Sequence, residues 1–326
     1  MAKIFGDPLT FGGGGKTFPN GTEWTQSNII SGAFNVVYNA NGVWVAASDD
    51  KGLWYSTDGK TWAQSNISTG KFNAVYNANG IWVAGGINTL YYSTDGKTWT
   101  QSNISDKTFY VFYNANGVWV AGSNSGLWYS TDGKSWVQSN KTDGGFYSIY
   151  NSNGIWVVGG SGLWYSTDGK AWTQSNISNR GPYHVYNAAG IWVAGHEAVF
   201  SSKGLYYSLD GKTWTQSNVS SGKFYVVYNS NGIWVAGSNN GLYYSEDGKM
   251  WTQSNISSDY VNTAYNAAGI WVAGSNETGL YYSTDGKMWT QSNVATGTFN
   301  AVYNANGLWI AAGENGLYYS VTWEQS

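Results

Sequence analysis

Several residue types are scarce in this chain of 326 residues, and each scarcity argues against a class of chemistry. Cysteine is absent, which excludes disulfides and thiolate metal sites. The chain has one arginine, Arg180, and two histidines, His184 and His196. So few groups suited to acid-base work argue against an active site. We therefore predict a protein that is not an enzyme and that needs no cofactor or metal.

Charge and long apolar runs are also scarce. Charged residues make up 11% of the chain, the net charge is −3, and the basic residues are spread singly through the sequence. Without a basic stripe or a run of about 18 apolar residues, we expect neither nucleic-acid binding nor membrane insertion. The first residues, from Met1 to Pro8, lack the apolar core of a signal peptide, so we expect no Sec signal.

Aromatic residues, glycine and internal repetition dominate what is present. The segment Tyr-Asn-Ala-Asn-Gly-Ile-Trp-Val recurs with variations at a mean spacing of about 38 residues. Its tryptophans are Trp44, Trp82, Trp119, Trp156, Trp192, Trp234, Trp271 and Trp309. Each unit divides into four β-type runs, which in the second unit are 72–76, 81–84, 90–93 and 98–101. Asn-Gly and Asp-Gly pairs between such runs predict hairpins, since both pairs accept positive φ.

Four strands in about 40 residues are typical of a β-propeller blade. We predict an all-β propeller of about eight four-stranded blades, closed by pairing of the N-terminal and C-terminal strands. In this interpretation residues 22–326 form the propeller and residues 1–21 form an N-terminal segment. The alternative is nine blades, with residues 1–28 as a degenerate blade, because Asn20-Gly21-Thr22-Glu23-Trp24 aligns with the Asp-Gly turns.

The Asp-Gly turns carry a second repeated motif. Ser-Thr-Asp-Gly-Lys-Thr-Trp occurs at 56–62 and returns with variations in six further units. It resembles the Asp-box of BNR-type propellers, with one residue fewer between the aspartate and the aromatic. The resemblance implies that the carboxylate fixes the hairpin and the tryptophan packs beneath it, which suits an aspartate at a turn. Structural roles are predicted for Asp58, Asp95, Asp132, Asp168, Asp210, Asp247 and Asp285. Such propellers include sialidases, whose arginine triad cannot be built from one arginine.

The remaining connections differ from unit to unit. In a propeller the connections from strand four to strand one and from strand two to strand three emerge on one face, opposite the Asn-Gly and Asp-Gly turns. We predict that this variable face binds a ligand, because diversified loops on a rigid scaffold commonly carry function. Neutral drift in exposed loops is the alternative.

Two sets of side chains are candidate ligand contacts. One set consists of the residue that comes directly after the leading aromatic or apolar residue of strand one. These residues are expected to surround the channel mouth: Asn35, Asn73, Tyr110, Tyr147, His184, Tyr225, Asn262 and Asn300. Its alternative role is polar contact between blades. The second is aromatic throughout and could stack on sugars: Trp54, Tyr91, Trp128, Trp164, Tyr206, Tyr243, Tyr281 and Tyr318. Its alternative role is core packing.

The fifth unit breaks the symmetry. It contains Arg180, His184, His196 and Glu197, and its loop lengthens the step from Trp192 to Trp234 to 42 residues. We predict that any unique contact lies there. Two histidines with one glutamate are a weak metal signal, because a zinc site needs at least three protein ligands.

These observations lead to a functional hypothesis of multivalent, lectin-like glycan recognition by a monomer, in which repetition raises avidity. Residues 3–15 resemble the opening of tail-associated proteins in phages of gut bacteria. That resemblance implies adhesion to a host cell, by a protein on the virion or outside the cell after lysis. The alternative is a scaffold that binds a protein partner, or a repeat-amplified propeller without a specific ligand.

Overall fold

The computed structural model describes residues 21–178, 181, 183–196 and 203–320. Within these ranges every regular element is a β-strand, and the strands form eight sheets of four. Each sheet is a blade. In blades 1 to 7 the strands follow chain order from the innermost to the outermost, and in blade 8 the outermost place is taken by the N-terminal strand. The described residues contain no helix with the length and apolar character needed to cross a membrane.

The strands recur with nearly constant bounds. The first strands are Phe34–Ala40, Phe72–Ala78, Phe109–Ala115, Phe146–Ser152, Tyr183–Ala188, Phe224–Ser230, Val261–Ala267 and Phe299–Ala305. The second strands are Val43–Ser48, Ile81–Gly86, Val118–Ser123, Ile155–Gly160, Ile191–His196, Ile233–Ser238, Ile270–Ser275 and Leu308–Gly313. The third strands are Leu53–Ser56, Thr89–Ser93, Gly126–Ser130, Gly162–Ser166, Leu205–Ser208, Gly241–Ser245, Leu280–Ser283 and Gly316–Ser320. The fourth strands are Ala63–Gln64, Thr100–Gln101, Val137–Gln138, Thr173–Gln174, Thr215–Gln216, Thr252–Gln253, Thr290–Gln291 and, for blade 8, Thr25–Gln26.

Blade 8 is assembled from both ends of the chain. Thr25 pairs with Tyr319 and Gln26 pairs with Tyr318, so the N-terminal strand becomes the outer strand of the last blade. Trp24 donates its Nε1–H to the carbonyl of Gly21 at 2.8 Å, as Trp62 does to its own turn glycine at 3.1 Å. The predicted eight blades and their closure by terminal strands are confirmed. The nine-blade alternative is wrong, because residues 21–26 complete blade 8. Residues 1–20 of the predicted N-terminal segment lie outside the described range.

The two repeated turns differ in backbone geometry. In the turn between the first and second strands, Asn79 and Gly80 have φ values of 51° and 77°, the left-handed pair that a type I′ hairpin requires. In the Asp-Gly turn only the glycine is left-handed, with φ of 68° at Gly59. The expectation that both residues of each pair adopt positive φ is wrong for Asp58. There the side-chain hydrogen bonds of the aspartate organise the turn, as the Asp-box resemblance implies.

A closed ring of eight tyrosines surrounds the propeller axis. Its members come from the first strands: Tyr38, Tyr76, Tyr113, Tyr150, Tyr186, Tyr228, Tyr265 and Tyr303. Neighbouring ring centroids lie 4.7 to 5.8 Å apart all the way round. Each ring also meets the edge or face of the second-strand tryptophan in the next blade, as Tyr38 meets Trp82 at 6.1 Å. All eight are at most 9% exposed, so little tyrosine surface at this level is open to a ligand.

Burial also changes the ionisation of a phenol in this ring. Burial, with the neighbouring phenols, raises the pKa of Tyr228 well above its ordinary value. That phenol therefore stays protonated at neutral pH, because a buried charge is costly. At this position the ring presents an uncharged phenol to the interior.

A second closed ring, at the outer edge, joins every blade to the next. The asparagine of each Gln-Ser-Asn segment donates to the carbonyl of a turn tryptophan in the next blade and accepts from the N–H of the same tryptophan, at 2.8 to 3.2 Å. We call these pairs the asparagine clamps. They are Asn28 with Trp62, Asn66 with Trp99, Asn103 with Trp136, Asn140 with Trp172, Asn176 with Trp214, Asn218 with Trp251, Asn255 with Trp289 and Asn293 with Trp24. The last pair closes the circle through the N-terminal strand.

Candidate ligand-binding face

The Asp-Gly turns form one face of the disc together with the Asn-Gly turns, and we call it the turn face. Asp58 accepts N–H bonds from Lys60 and Thr61 at 2.8 Å, and the Ser56 hydroxyl bonds both the carboxylate and the N–H of Gly59. The same pattern recurs in the other six turns. These seven aspartates are engaged in holding their own turns.

The turn aspartates share a common electrostatic setting. Partial desolvation acts to raise the pKa of Asp58, but the backbone N–H bonds of Thr61 and Lys60 and the Ser56 hydroxyl outweigh it and lower that pKa below its ordinary value. The other six respond in the same direction. Carboxylates that stay ionised and bonded to their own turn are poorly suited to general-acid chemistry.

The lysine of each Asp-Gly turn lies over a third-strand tyrosine of the preceding blade. The seven Nζ atoms stand 5.6 to 5.8 Å from ring centroids. The pairs are Lys60 with Tyr319, Lys97 with Tyr55, Lys134 with Tyr92, Lys170 with Tyr129, Lys212 with Tyr165, Lys249 with Tyr207 and Lys287 with Tyr244. Neither these contacts nor the asparagine clamps were predicted from the sequence, because each joins residues in different repeats. Their strict recurrence at one repeat position was the available signal.

The turn face is less uniform than the sequence analysis proposed. In blades 5 to 7, Leu209, Met250 and Met288 are 62 to 67% exposed at turn positions that are mostly Thr elsewhere. Glu246 contacts Lys287 of the next blade at 2.5 Å, and a cleft lined in part by Tyr244, Glu246 and Met250 lies beside them.

The opposite face carries the variable loops, and we call it the variable face. Loops of neighbouring blades are bridged to one another there, as at Lys51 with Gly70 and Thr278 with Gly297. An outer-strand glutamine commonly secures them: Gln64 donates to the carbonyls of Lys51 and Ser68 at 2.9 and 3.0 Å. The variable loops are therefore presented on a bonded frame.

Half of the predicted channel-mouth ring is engaged in bonds between blades. The amide of Asn35 donates to the Phe72 carbonyl at 2.9 Å, and Asn73 donates to the Phe109 carbonyl at 3.0 Å. Asn300 reaches the carbonyl of the first residue of blade 1 at 3.1 Å, and Asn262 makes a longer bond of 3.4 Å. For these four asparagines the structure favours the alternative role, polar contact between blades.

The other half of the ring is aromatic or imidazole and runs through consecutive blades 3 to 6. Tyr110 and Tyr147 are partly exposed, with ring centroids 4.7 Å apart, and Tyr225 is partly exposed as well. His184 is buried, at 2% exposure. Burial raises the pKa of Tyr110, so its hydroxyl is protonated at neutral pH. We call Tyr110, Tyr147, His184 and Tyr225 the aromatic arc.

The second predicted set lies mostly against the core. Tyr91, Trp128, Tyr243 and Tyr318 contact the first-strand phenylalanine of their own blade at 5.3 to 6.4 Å. Trp54 and Trp164 are also partly buried against the core and bond their Nε1–H to the carbonyls of Lys51 and Ser161, both at 3.1 Å. Tyr206 is 5% exposed. This arrangement favours core packing over stacking on a ligand.

In the fifth unit the two histidines are interior residues. His196 is fully buried, lies 4.6 Å from the ring of Tyr183, and accepts the N–H of Lys203 at its Nδ1 at 3.2 Å. Arg180 and Glu197 lie outside the described residues. Among the residues that the structure describes, no three His, Asp or Glu side chains gather into a metal site.

Comparison with known proteins shows the fold alone. No family model matches the chain, and no curated protein matches it. Among solved structures, the computationally designed Ika8 protein has a TM-score of 0.71 at 11% identity, covering 92% of this chain and 100% of its own. BamB from Moraxella catarrhalis has a TM-score of 0.65 at 9% identity, covering 93% and 97%. YCF48 bound to D1 peptide has a TM-score of 0.58 at 16% identity, covering 94% and 97%. The chain thus shares its propeller fold with proteins of very different sequence.

Proposed function

We propose that the protein is a non-catalytic scaffold that binds a polypeptide partner on its variable face. The observation that supports the proposal is the difference between the two faces. Hydrogen bonds and cation-π contacts engage the side chains that recur from blade to blade on the turn face and rim. The partly exposed tyrosines of the aromatic arc lie among loops that differ from blade to blade. A rigid disc with one diversified face is suited to binding by its loops. The peptide complex of YCF48 offers a precedent on a similar fold.

Glycan recognition, the hypothesis from sequence, has less support. The rings expected to stack on sugars are partly buried, and the face of Trp164 is already occupied by Lys141, whose Nζ lies 4.3 Å from the ring centroid. Adhesion as part of a phage particle was inferred from residues 3–15, which lie outside the described residues. It stays a prediction, as does the absence of enzymatic activity.

A peptide array probed with the labelled protein, beside a glycan array, tests the proposal. We expect peptide ligands whose affinity falls in the triple variant Tyr110→Ala, Tyr147→Ala and Tyr225→Ala, because paired aromatic rings contribute about 0.5 to 1.5 kcal/mol each beyond area burial. The matched control is Tyr260→Ala, which removes an exposed tyrosine between blades 6 and 7 at the same face. Ligands found only on the glycan array, or equal losses in both variants, would contradict the proposal.

A further inference from the structure

Charges on the variable face are separated into two halves. We count each loop from strand four to strand one with the blade that follows it. The loops of blades 7, 8, 1 and 2 form the acidic half, with five carboxylates and two lysines: Asp49, Asp50, Asp259, Glu277, Glu314, Lys51 and Lys71. The described loops of blades 3 to 6 form the basic half, with four lysines and two carboxylates: Lys107, Lys141, Lys203, Lys223, Asp106 and Asp143.

Ion pairs sharpen this separation. In the basic half Lys107 bonds Asp106 at 2.8 Å and Lys141 bonds Asp143, so both carboxylates are neutralised. Lys203 and Lys223 make no ion pair with any residue that the structure describes. In the acidic half one carboxylate, Asp49, is paired with a lysine, Lys71, at 2.7 Å. The basic half therefore keeps positive charge, and the acidic half keeps several carboxylates.

A second asymmetry coincides with the first. The aromatic arc occupies the channel mouth in blades 3 to 6, the blades of the basic half. The four asparagines occupy the mouth in blades 7, 8, 1 and 2, where their amides bond neighbouring blades. The charged residues lie in the loops, whereas the residues of the channel-mouth ring lie in the first strands. The two asymmetries therefore come from separate parts of the repeat. Both favour the same half of the disc for a ligand.

We propose that the basic half, with the aromatic arc, binds an acidic polypeptide segment that carries aromatic side chains. This inference rests on the proposed function and specifies its partner. Carboxylates of the segment meet Lys203 and Lys223, and its rings stack on the exposed parts of Tyr110, Tyr147 and Tyr225. The acidic half repels the segment, so it lies off the propeller axis, across blades 3 to 6.

The test uses three labelled peptides and fluorescence anisotropy with the full chain. One peptide alternates Glu and Tyr, one alternates Glu and Ala, and one alternates Lys and Tyr. We expect the Glu-Tyr peptide to bind most tightly and to weaken as salt is added, because exposed charges are screened. The Glu-Ala peptide is expected to bind more weakly, since it has no rings.

Two charge-matched double variants locate the site. Lys203→Glu with Lys223→Glu reverses the unpaired lysines of the basic half, and we expect about tenfold weaker binding of the Glu-Tyr peptide. Lys51→Glu with Lys71→Glu changes the net charge equally on the acidic half of the same face and is expected to alter binding less than twofold. Thermal unfolding of both variants verifies that the fold is retained.

The alternative outcomes are distinct. Equal losses in the two double variants would overturn the assignment to one half. Preference for the Lys-Tyr peptide, or for neutral sequences on the peptide array, would overturn the acidic partner while leaving the scaffold function in place. A dimer that the Lys203 and Lys223 substitutions dissociate would identify a second copy as the occupant and overturn the inference. Absence of all peptide binding with clear glycan binding would remove both proposals together.

Discussion

The turn face and the variable face are built by the same eight repeats, yet the sequence behaves differently on each. On the turn face and outer rim, a repeated residue commonly bonds the neighbouring blade or its own turn, as Asn103 and Asp132 do. On the variable face the frame is bonded and the side chains above it differ. A position that bonds the next blade must fit both units, so its identity is restricted, whereas a loop tip meets no such requirement. Repetition in sequence therefore follows contact between blades.

Among changes to the contacts between blades, removing the N-terminal strand should have the largest effect on stability. A chain that begins after residue 28 loses the outer strand of blade 8 and two asparagine clamps, Asn293 with Trp24 and Asn28 with Trp62. It also leaves the third strand of blade 8 as an unpaired sheet edge. We expect that unfolding is no longer cooperative, as measured by calorimetry. We also expect aggregation that increases with protein concentration, as measured by light scattering. A chain that begins at Gly21 is the control and should unfold like the parent. Equal stability of both truncations would show that ring closure does not depend on this strand.

Breaking one asparagine clamp should have the next largest effect. Asn103→Leu removes a donor and an acceptor and leaves two backbone groups of Trp136 without their partner, at a cost of about 2 kcal/mol in the free energy of unfolding. Asn103→Asp keeps the acceptor and should cost less. Gln101→Leu, two residues away on the exposed outer strand, is the matched control. Urea unfolding measures all three, and an equal loss in Gln101→Leu would argue against a specific clamp.

A turn aspartate should contribute less, and in a pH-dependent way. Asp132→Ala should lower the free energy of unfolding by about 1 kcal/mol at neutral pH without changing ligand binding. The folded state lowers the pKa of these carboxyls, so their stabilisation is complete above the ordinary aspartate pKa and is lost as pH falls through the folded value. The difference between the variant and the parent should therefore shrink in acid. Asp50→Ala, in a variable loop, is the control, and a difference independent of pH would contradict this account.

The turn lysines should matter least. Lys134→Ala removes a partly exposed cation over Tyr92 and should cost about 0.5 kcal/mol of stability. Peptide binding should be unchanged, because the side chain lies on the opposite face from the aromatic arc. Chemical unfolding and the peptide array measure the two effects. Loss of binding with stability intact would mean that the two faces have been assigned the wrong way round.

Much of the fold could be predicted because its signals are local. The Asn-Gly pairs predict the hairpins, and the repeat period predicts the number of blades. The incomplete last unit predicts closure by the N-terminal strand. For the Asp-Gly turn, the resemblance to the Asp-box implied that the carboxylate fixes the hairpin. The backbone conformation of Asp58 was not predicted, since side-chain bonds hold this turn without positive φ at the aspartate. The clamp between Asn66 and Trp99 joins residues 33 apart. Within one repeat, Asn66 therefore reads as an ordinary polar surface residue.

For the predicted channel-mouth ring, the sequence offered two roles, ligand contact and polar contact between blades, without assigning them to particular residues. The ring from Asn35 to Asn300 was located by its place in the first strand. That Asn73 bonds the Phe109 carbonyl while Tyr110 stays partly exposed depends on the spacing between blades, which no pattern in a single strand contains. The order of residues around the ring did hold a signal, because its four non-asparagine members are consecutive.

The asparagine clamps also bear on how this protein can be produced. Asn66-Ile67-Ser68 and Asn103-Ile104-Ser105 satisfy the acceptor pattern for N-glycosylation, and the amide nitrogen that would carry the sugar is the atom that bonds the next blade. A eukaryotic secretory host attaches the sugar during translocation, before a late-closing ring can protect the nitrogen. Expression by that route would yield chains with the junctions between blades blocked, so a cytosolic or bacterial host suits this sequence.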